Sequence, residues 1–261
     1  MYMEERHQKI ADFIQENGKI SVAQIVEEYG ISDESARRDL RMLERNGLCK
    51  RTHGGAIRLQ QVGFIGIGKE RNYAEMQIFD NYREIARYAA LTVQKNDIIY
   101  LTSGSFGFIM LNFLPKDIPY TLVVNSPDLA VPLRQWDNID VFMVGGKMRQ
   151  SGSIVDSMAV DFVNRIHFDR CFLTGGGLTA DFGLSNRTGE TVAFQQAVLK
   201  NSRHRTLLIP SSKIGADSFL KVCDADRFDM IITDWDCLEE QAECLREAGV
   251  EVIVVEEREN A

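Results

Sequence analysis

The chain has 261 residues, of which 44% are apolar and 26% charged, and its formal net charge at neutral pH is −8. This composition is ordinary for a soluble globular protein, and the length allows one large domain or two unequal ones. No run of about 18 apolar residues occurs, and the polar start lacks the apolar stretch of a signal peptide, so we expect neither a membrane span nor secretion.

The cysteines are five in number, widely spaced, and none forms a CxxC pair. Scattered cysteines of this kind indicate reduced thiols, and they predict a cytoplasmic protein. No cofactor is predicted.

Positive charge is concentrated near the N-terminus. Between Ser35 and Arg58 there are seven basic and two acidic residues, a net charge of +5, so the rest of the chain carries −13. A short basic block on an acidic body predicts a local nucleic-acid-binding face.

Three helices are predicted in the first 46 residues. The first spans residues 4–16, with apolar side chains three and four residues apart. Ser21 and Gln24 form a capping-box pattern that begins a second helix, which ends before Gly30. Ser32 is the candidate N-cap of a third helix, DESARRDLRMLERN.

The third helix has two faces. Its apolar residues should face the core and its arginines should lie on another side; the apolar set is Ala36, Leu40 and Leu43, and the basic set is Arg37, Arg38, Arg41 and Arg45. Two short helices with arginines on the second are typical of a helix-turn-helix, whose second helix enters the major groove. Arg37 and Arg38 are the candidates for base contacts. Arg41 and Arg45 are candidates for phosphate contacts, or for ion pairs with Asp39 or Glu44.

A hairpin is predicted after Gly47. Two strand-like segments flank THGG, a pattern typical of the wing of a winged helix-turn-helix. Lys50, Arg51 and His53 would then lie against the DNA backbone. A metal-binding role for His53 is disfavoured because no second His or Cys stands at ligand spacing.

The segment SDESARRDLRMLERNGLCKRTHGGA resembles the N-terminal signature of the DeoR family of bacterial transcriptional regulators. That signature is an S-x-x-T-[IV]-R-R-D-L run followed by an R-x-H-G-G-A wing. Ser35 and Ala36 stand where the family commonly has Thr and a β-branched residue. The resemblance implies a winged helix-turn-helix that binds double-stranded operator DNA, with Ser32 and Ser35 among the contacting residues.

The rest of the chain predicts a second domain. Residues 1–57 form the DNA-binding domain, residues 58–74 read as a linker, and residues 75–261 form the body, whose first helix begins near Glu75. Seven apolar runs of strand length alternate with helix-like segments: DIIYLT, YTLVV, IDVFMV, FDRCFLT, RTLLI, FDMIIT and VEVIVV. Such runs predict a mostly parallel sheet with helices on both faces, a three-layer α/β/α, Rossmann-like fold.

Ligands of such sheets bind outside the carboxyl ends of the strands. The small and polar residues at these corners are Ser103, Gly104, Ser105, Asn125, Ser126, Gly145, Gly146, Arg149, Gly175, Gly176, Gly177, Ser211, Ser212 and Lys213. Glycines let backbone amides approach an anion, and Arg149 and Lys213 supply charge for a phosphate. If any one of these corners is considered by itself, a simple turn without a ligand is the favoured interpretation. Together they predict a ligand pocket.

The body is similar to the DeoR sensor domain, which shares its fold with sugar-phosphate isomerases. The family's D-S-G-T-T, T-N-S, G-G-x-x-R, glycine and D-x-S-K corners correspond here to TSGSF, VNS, GGKMR, TGGGL and PSSK. Thr102, Phe106 and Pro210 depart from the family pattern, and Asp156 stands near a common Gly. The resemblance implies an effector that is a sugar phosphate or a related metabolite. Phe106 and Glu190 are included among its candidate contacts.

We therefore expect a transcriptional regulator, a repressor of a carbohydrate-utilisation operon, that acts as a homodimer or homotetramer. One alternative is a DNA-binding regulator whose body only oligomerises. The other is an active isomerase with an attached DNA-binding domain. It is disfavoured because Asp169, Asp181 and Glu190 are the only carboxylates near the corners, and none has a clear catalytic placement.

Overall fold

The computed structural model describes residues 3–45, 49–52, 54–58 and 79–257. The chain divides into two compact units, Met1–Phe64 and Ile65–Ala261. Within the described residues, no helix is both long and apolar enough to cross a membrane.

The first unit is a winged helix-turn-helix. Its helices are α1 (Met3–Asn17), α2 (Val22–Tyr29) and α3 (Asp33–Arg45). Its antiparallel sheet has the order β1-β3-β2, with β1 (Lys19–Ser21), β2 (Cys49–Thr52) and β3 (Gly55–Arg58). The three predicted helices and the wing hairpin are confirmed.

Local signals set the helix ends. The Ser21 side chain accepts from the Gln24 N–H at 3.1 Å, and the Ser21 N–H donates to Gln24 Oε1 at 2.8 Å, which completes the capping box. Gly30 ends α2 in a left-handed conformation with φ of 62°. The apolar faces of the helices then meet in one core that includes Ile10, Ile25 and Leu40.

Strand β1 is the element of this unit that the pattern did not predict. It is three residues long, and its Ile20 pairs with Ala56 of the wing. The approach is so close that a Cβ on Gly55 would lie 2.1 Å from the Ile20 carbonyl oxygen. Glycine is therefore required at this position by backbone packing.

The second unit is built on a seven-stranded sheet in which every pair is parallel. The strand order is β13-β12-β10-β7-β4-β5-β6. The strands are β4 (Ile98–Leu101), β5 (Tyr120–Val124), β6 (Ile139–Met143), β7 (Phe168–Leu173), β10 (Ser202–Leu208), β12 (Met230–Thr233) and β13 (Glu251–Val254). All seven predicted runs are strands, and the predicted fold class is confirmed.

In the part of this unit that the structure describes, the α-helices are α4 (Asp80–Leu91), α5 (Ser105–Met110), α6 (Pro127–Leu133), α7 (Ser157–Val163), α8 (Gly189–Lys200) and α9 (Glu239–Glu247). Helix α4 begins later than predicted, with Phe79 as its N-cap. Residues 75–78 and most of the predicted linker lie outside the described residues. The domain boundaries given above remain predictions.

A small antiparallel sheet beside the large one was not predicted. Its order is β11-β9-β8, with β8 (Gly177–Thr179), β9 (Gly183–Asn186) and β11 (Leu220–Cys223). These strands have three or four residues and contain glycine or charge, so they lack the long apolar runs that mark the main sheet.

Candidate DNA interface and effector site

The arginines of α3 separate into two kinds. Arg38 and Arg41 are exposed and make no ion pair with another described residue. Arg37 Nε donates to Asp33 Oδ2 at 2.7 Å along the exposed side of the helix. The apolar face opposite is buried, as predicted, with Ala36 fully inaccessible. Arg38 and Arg41 therefore present guanidinium groups to solvent at the surface proposed for the DNA.

Asp39 is not available to pair with these arginines. Its side chain is 3% exposed and accepts from Arg6 Nε at 2.7 Å, while His7 Nε2 lies 2.9 Å from its other oxygen. Burial raises the pKa of Asp39, but the hydrogen bonds from Arg6 and His7 outweigh burial and hold it below its usual value. The carboxylate thus fixes α1 against α3, and the alternative of an Asp39 pair with Arg41 is wrong.

Glu44 is engaged by the wing. It accepts from the Arg51 N–H at 2.8 Å, and Arg51 Nη1 lies 3.9 Å from its other oxygen. This contact sets β2 against the end of α3. The side chains of Arg45 and Lys50, and the whole of His53, lie outside the described residues.

Ser32 caps the N-terminus of α3, and Ser35 accepts a hydrogen bond from the capping hydroxyl. The Ser35 N–H donates to Ser32 Oγ at 3.2 Å, and the Ser32 hydroxyl donates to Ser35 Oγ at 3.0 Å. Ser32 is exposed and Ser35 half-buried. Their hydroxyls therefore lie at a helix N-terminus, where backbone dipoles favour a phosphate.

In the second unit, β4 and β7 flank the topological switch point. From β4 the chain continues outward through β5 and β6, whereas β7 lies on the other side of β4 and leads to β10. The loops that follow these strands touch, because a Cβ on Gly104 would lie 2.9 Å from Thr174 Cγ2. A ligand crevice is expected at such a point.

Phe106 lies in the interior at this point. Its ring is 1% exposed and stacks on Tyr82 of α4, with centroids 4.7 Å apart and planes 15° from parallel. Of the predicted contact residues in this loop, Ser103, Gly104 and Ser105 are partly exposed. For Phe106, only the backbone amide at the start of α5 remains a candidate contact.

Lys213 connects two corners of the sheet. It lies in a 3₁₀ turn (Ser211–Lys213) after β10, and its Nζ donates to the Gly175 carbonyl at 3.0 Å. Burial lowers the pKa of Lys213, and the charge of Arg187 lowers it further. An anion beside this ammonium group would favour its charged form and so oppose both effects. Arg187 was missed because it lies in a loop without a pattern.

Both polar atoms of the Asn125 side chain form hydrogen bonds within the protein. It is 1% exposed, its Oδ1 accepts from the Tyr100 hydroxyl at 3.0 Å, and its Nδ2 donates to the Ile154 carbonyl at 3.0 Å. Ser126 beside it is also buried. The β5 corner therefore holds the loop after β6 in place.

Arg149 is bound to the first turn of α8. Its Nε donates to Glu190 Oε2 at 3.1 Å, and its other nitrogens donate to Thr191 Oγ1 at 3.0 Å and Thr188 Oγ1 at 3.2 Å. Gln195 of the same helix donates to the Thr174 carbonyl at 2.8 Å. Helix α8 thus joins the corner after β6 to the corner after β7. Glu190 also neutralises the charge of Arg149, which was expected to bind a phosphate.

The glycines at the corners have different roles. Gly145 and Gly146 are exposed, whereas Gly175 and Gly177 are buried and Gly177 begins β8. A Cβ on Gly177 would lie 2.2 Å from the Ala216 carbonyl oxygen. Close packing accounts for this glycine, and Gly176 is the exposed member of the triplet.

A buried carboxylate supports the β10 corner where the family pattern has an Asp and this chain has Pro210. Asp234 is inaccessible and accepts from the Ser211 N–H at 2.9 Å and the Ser211 hydroxyl at 2.7 Å. Ser212 beside it is exposed. The carboxylate at this corner thus comes from the residue that follows the neighbouring strand β12.

The carboxylates considered for catalysis do not converge. Asp169 lies at the start of β7, where it accepts from the Ile98 N–H at 2.9 Å. Asp181 is exposed in the turn between β8 and β9, and Glu190 is bound to Arg149. No pair among these three is placed to act as acid and base on one substrate.

Two family models match the chain. The model described as "DeoR-like helix-turn-helix domain" matches residues 6–62. The model described as "DeoR C terminal sensor domain" matches residues 80–235.

Curated relatives match along almost their whole length. The "HTH-type transcriptional regulator GlpR" of Haloferax volcanii is 29% identical over 95% of this chain and 96% of the relative. The "Lactose phosphotransferase system repressor" of Staphylococcus epidermidis is 28% identical over 95% of this chain and 98% of the relative. The first relative is named as a regulator and the second as a repressor, and neither is named as an enzyme.

Among solved structures, a ribose 5-phosphate isomerase A from Methanocaldococcus jannaschii is similar over 51% of this chain and 52% of its own. The TM-score is 0.37 and the identity 14%. This likeness carries no conclusion about function.

Proposed function

This chain belongs to the DeoR family of transcriptional regulators, and from that premise we propose that it represses a carbohydrate-utilisation operon under the control of a phosphorylated sugar or related metabolite. The first unit binds operator DNA and the second binds the effector. The observation that carries the effector proposal is the half-buried Lys213 ammonium, which lies after β10 and reaches the Gly175 carbonyl in the corner after β7. Effector binding shifts the population between DNA-competent and DNA-incompetent states.

The chain acts as a homodimer or homotetramer in this proposal. Helix-turn-helix proteins commonly bind two half-sites one helical turn, about 34 Å, apart, so operator symmetry mirrors the symmetry of the protein. The relative named as the lactose phosphotransferase system repressor supports the assignment of a carbohydrate operon.

Replacing Arg38 with alanine is expected to weaken operator binding and to reduce discrimination against other sequences. A bidentate contact to a base contributes about 1 to 3 kcal/mol, which corresponds to a loss of roughly 5- to 150-fold in affinity. An operator selected from a random duplex library supplies the probe for titration. Arg134→Ala, an exposed arginine of the second unit, is the matched control. Unchanged operator affinity in Arg38→Ala would contradict the base contact.

Replacing Lys213 with alanine is expected to spare operator binding and to weaken the effector at least about tenfold, the size of one charge-assisted hydrogen bond. Because only the ammonium form binds an anion and burial lowers its pKa, effector affinity should fall as pH rises, and at a lower pH than for an ordinary lysine. Isothermal titration of the variant provides the measurement. Lys95→Ala, an exposed lysine between α4 and β4, is the control.

A thermal-shift screen with sugar and polyol phosphates identifies the effector class. Binding to the folded state at a hundredfold excess over the dissociation constant stabilises it by about 2.7 kcal/mol. If no compound raises the melting temperature, the body serves only for oligomerisation and the effector proposal is wrong.

A further inference from the structure

We propose that the outer edge of β6 is a self-association surface, on which β6 of a second copy of this chain pairs antiparallel about a two-fold axis. The inference deepens the proposed function, since it rests on the expectation of an oligomeric regulator and names the surface involved. The occupant is a second copy because strand-to-strand pairing of one edge with itself gives a closed, two-fold interface.

The outer edge of β6 has main-chain groups to offer. β6 is the last strand of the seven-stranded sheet and pairs only with β5 among the described residues. The Val144 N–H donates to the Val124 carbonyl at 2.8 Å, so the main-chain hydrogen-bonding groups of Val144 face β5. Because successive residues of a strand alternate in direction, Val141 and Met143 present their N–H and C=O groups outward.

The side chains along this edge are apolar and exposed. Phe142 is 54% exposed and Met143 47%, and the one charge in β6 is Asp140. Natural edge strands usually carry lysine, proline or a bulge that prevents pairing with another chain. β6 has neither lysine nor proline.

The opposite edge of the sheet differs. Strand β13 begins with the exposed Glu251, buries Val252, and is followed by the exposed Glu256 and Glu257. Two such edges would bring carboxylates together on pairing. Strand β13 thus has three exposed carboxylates at or just beyond its ends, whereas β6 has one, Asp140.

The apolar edge continues beyond the end of β6. The Ile154 N–H donates to the Asn125 carbonyl at 2.8 Å, so Ile154 takes the place of β6 beside the end of β5. On the side of Ile154 that faces away from β5, Met148 forms an antiparallel β-bridge with Ile154. The Arg149 N–H donates to the Ser153 carbonyl on the same side. Met148, which is 58% exposed, thus extends the outward surface.

The exposed apolar side chains supply about half of the area that a dimer interface requires. At about 200 Å² for a large apolar side chain, Phe142, Met143 and Met148 leave roughly 300 Å² per copy, or about 600 Å² for two. A stable interface buries at least about 1,200 Å², of which somewhat more than half is apolar. These three side chains account for most of that apolar share.

The position of Asp140 favours one alignment of the two β6 strands. Pairing centred on Asp140 would place two carboxylates opposite each other, which is unfavourable. Pairing centred on Val141 places Asp140 of one copy opposite Phe142 of the other and Ile139 opposite Met143. It also lets the outward groups of Ile139, Val141 and Met143 all bond, so we assign this register.

The mass of the full chain, measured by light scattering without DNA or effector, tests the proposal. Phe142→Glu places a carboxylate opposite Asp140, and we expect it to halve the mass of the assembly. Phe219→Glu changes a phenylalanine that is 79% exposed elsewhere and should leave the mass unchanged. Phe142 is half exposed, so the variant should retain the thermal midpoint of the wild-type fold.

A double variant tests the register. Asp140→Lys combined with Phe142→Glu restores opposite charges across the pair and is expected to restore the wild-type mass. A monomeric wild type, an unchanged mass for Phe142→Glu, or a double variant that stays at half mass would each overturn the proposal. Because no effector is present, these results are independent of whether a sugar phosphate binds.

Discussion

Replacing Phe106 with alanine is expected to lower the free energy of unfolding of the second unit by about 3 to 5 kcal/mol, the usual effect of removing a buried aromatic ring. The ring is 1% exposed and stacks on Tyr82, so its loss leaves a cavity between α4 and α5. Denaturant unfolding of the variant and the wild type measures the difference.

Phe219→Ala is the matched control for this prediction. Phe219 is 79% exposed, and its removal should change stability by less than about 0.5 kcal/mol. A loss below about 1 kcal/mol for Phe106→Ala would contradict the core placement of the ring. The result also bears on the effector proposal, because a ring that packs in the core does not occupy the predicted effector site at Ser103 and Gly104.

Replacing Asp39 with alanine is expected to destabilise the first unit by about 2 to 4 kcal/mol, because the change leaves the Arg6 guanidinium, only 14% exposed, without its partner. Helices α1 and α3 lose the contact that orients them, so operator affinity should fall as well. Hydrogen exchange of α1 and α3, together with thermal unfolding, gives the measurement. Asp33→Ala, which removes an exposed pair with Arg37, should cost at most about 0.5 kcal/mol.

Low pH is expected to weaken the same contribution of Asp39 to stability. The pKa of Asp39 in the folded state lies below its unfolded value, so its contribution to stability is complete above about pH 4 and is lost as pH falls through the folded pKa. The stability difference between wild type and Asp39→Ala should therefore narrow as pH falls below about 4. A difference that is constant from pH 7 to pH 2 would show that the carboxylate charge has no part in the effect.

The features that the sequence predicted correctly are those that depend on short-range interactions along the chain. Helix caps, apolar periods and strand-length runs depend on residues close together in the chain, and these signals predicted α1 to α3, the wing and all seven strands of the parallel sheet. Exposure of Arg38 also follows from local periodicity, because Ala36 and Leu40 define the buried side of the same helix. The roles assigned to individual site residues remain predictions.

Residues far apart in the chain decided the rest. Asp39 pairs with Arg6, Arg149 with Glu190, and Lys213 with the Gly175 carbonyl, and no spacing rule connects any of these partners. Strand order also belongs here, because the runs predict parallel strands but do not place β7 beside β4 or leave β6 at an edge.

The sequence by itself thus determined the DNA-binding signature, the fold class and the chain positions of the candidate effector corners. Only the tertiary structure decided that the Phe106 ring packs on Tyr82, that Glu190 balances Arg149, and that β6 has no second partner strand among the described residues. The physical reason is that hydrogen bonding and periodicity act within a few residues, whereas the partner of a side chain depends on which distant elements the fold brings together.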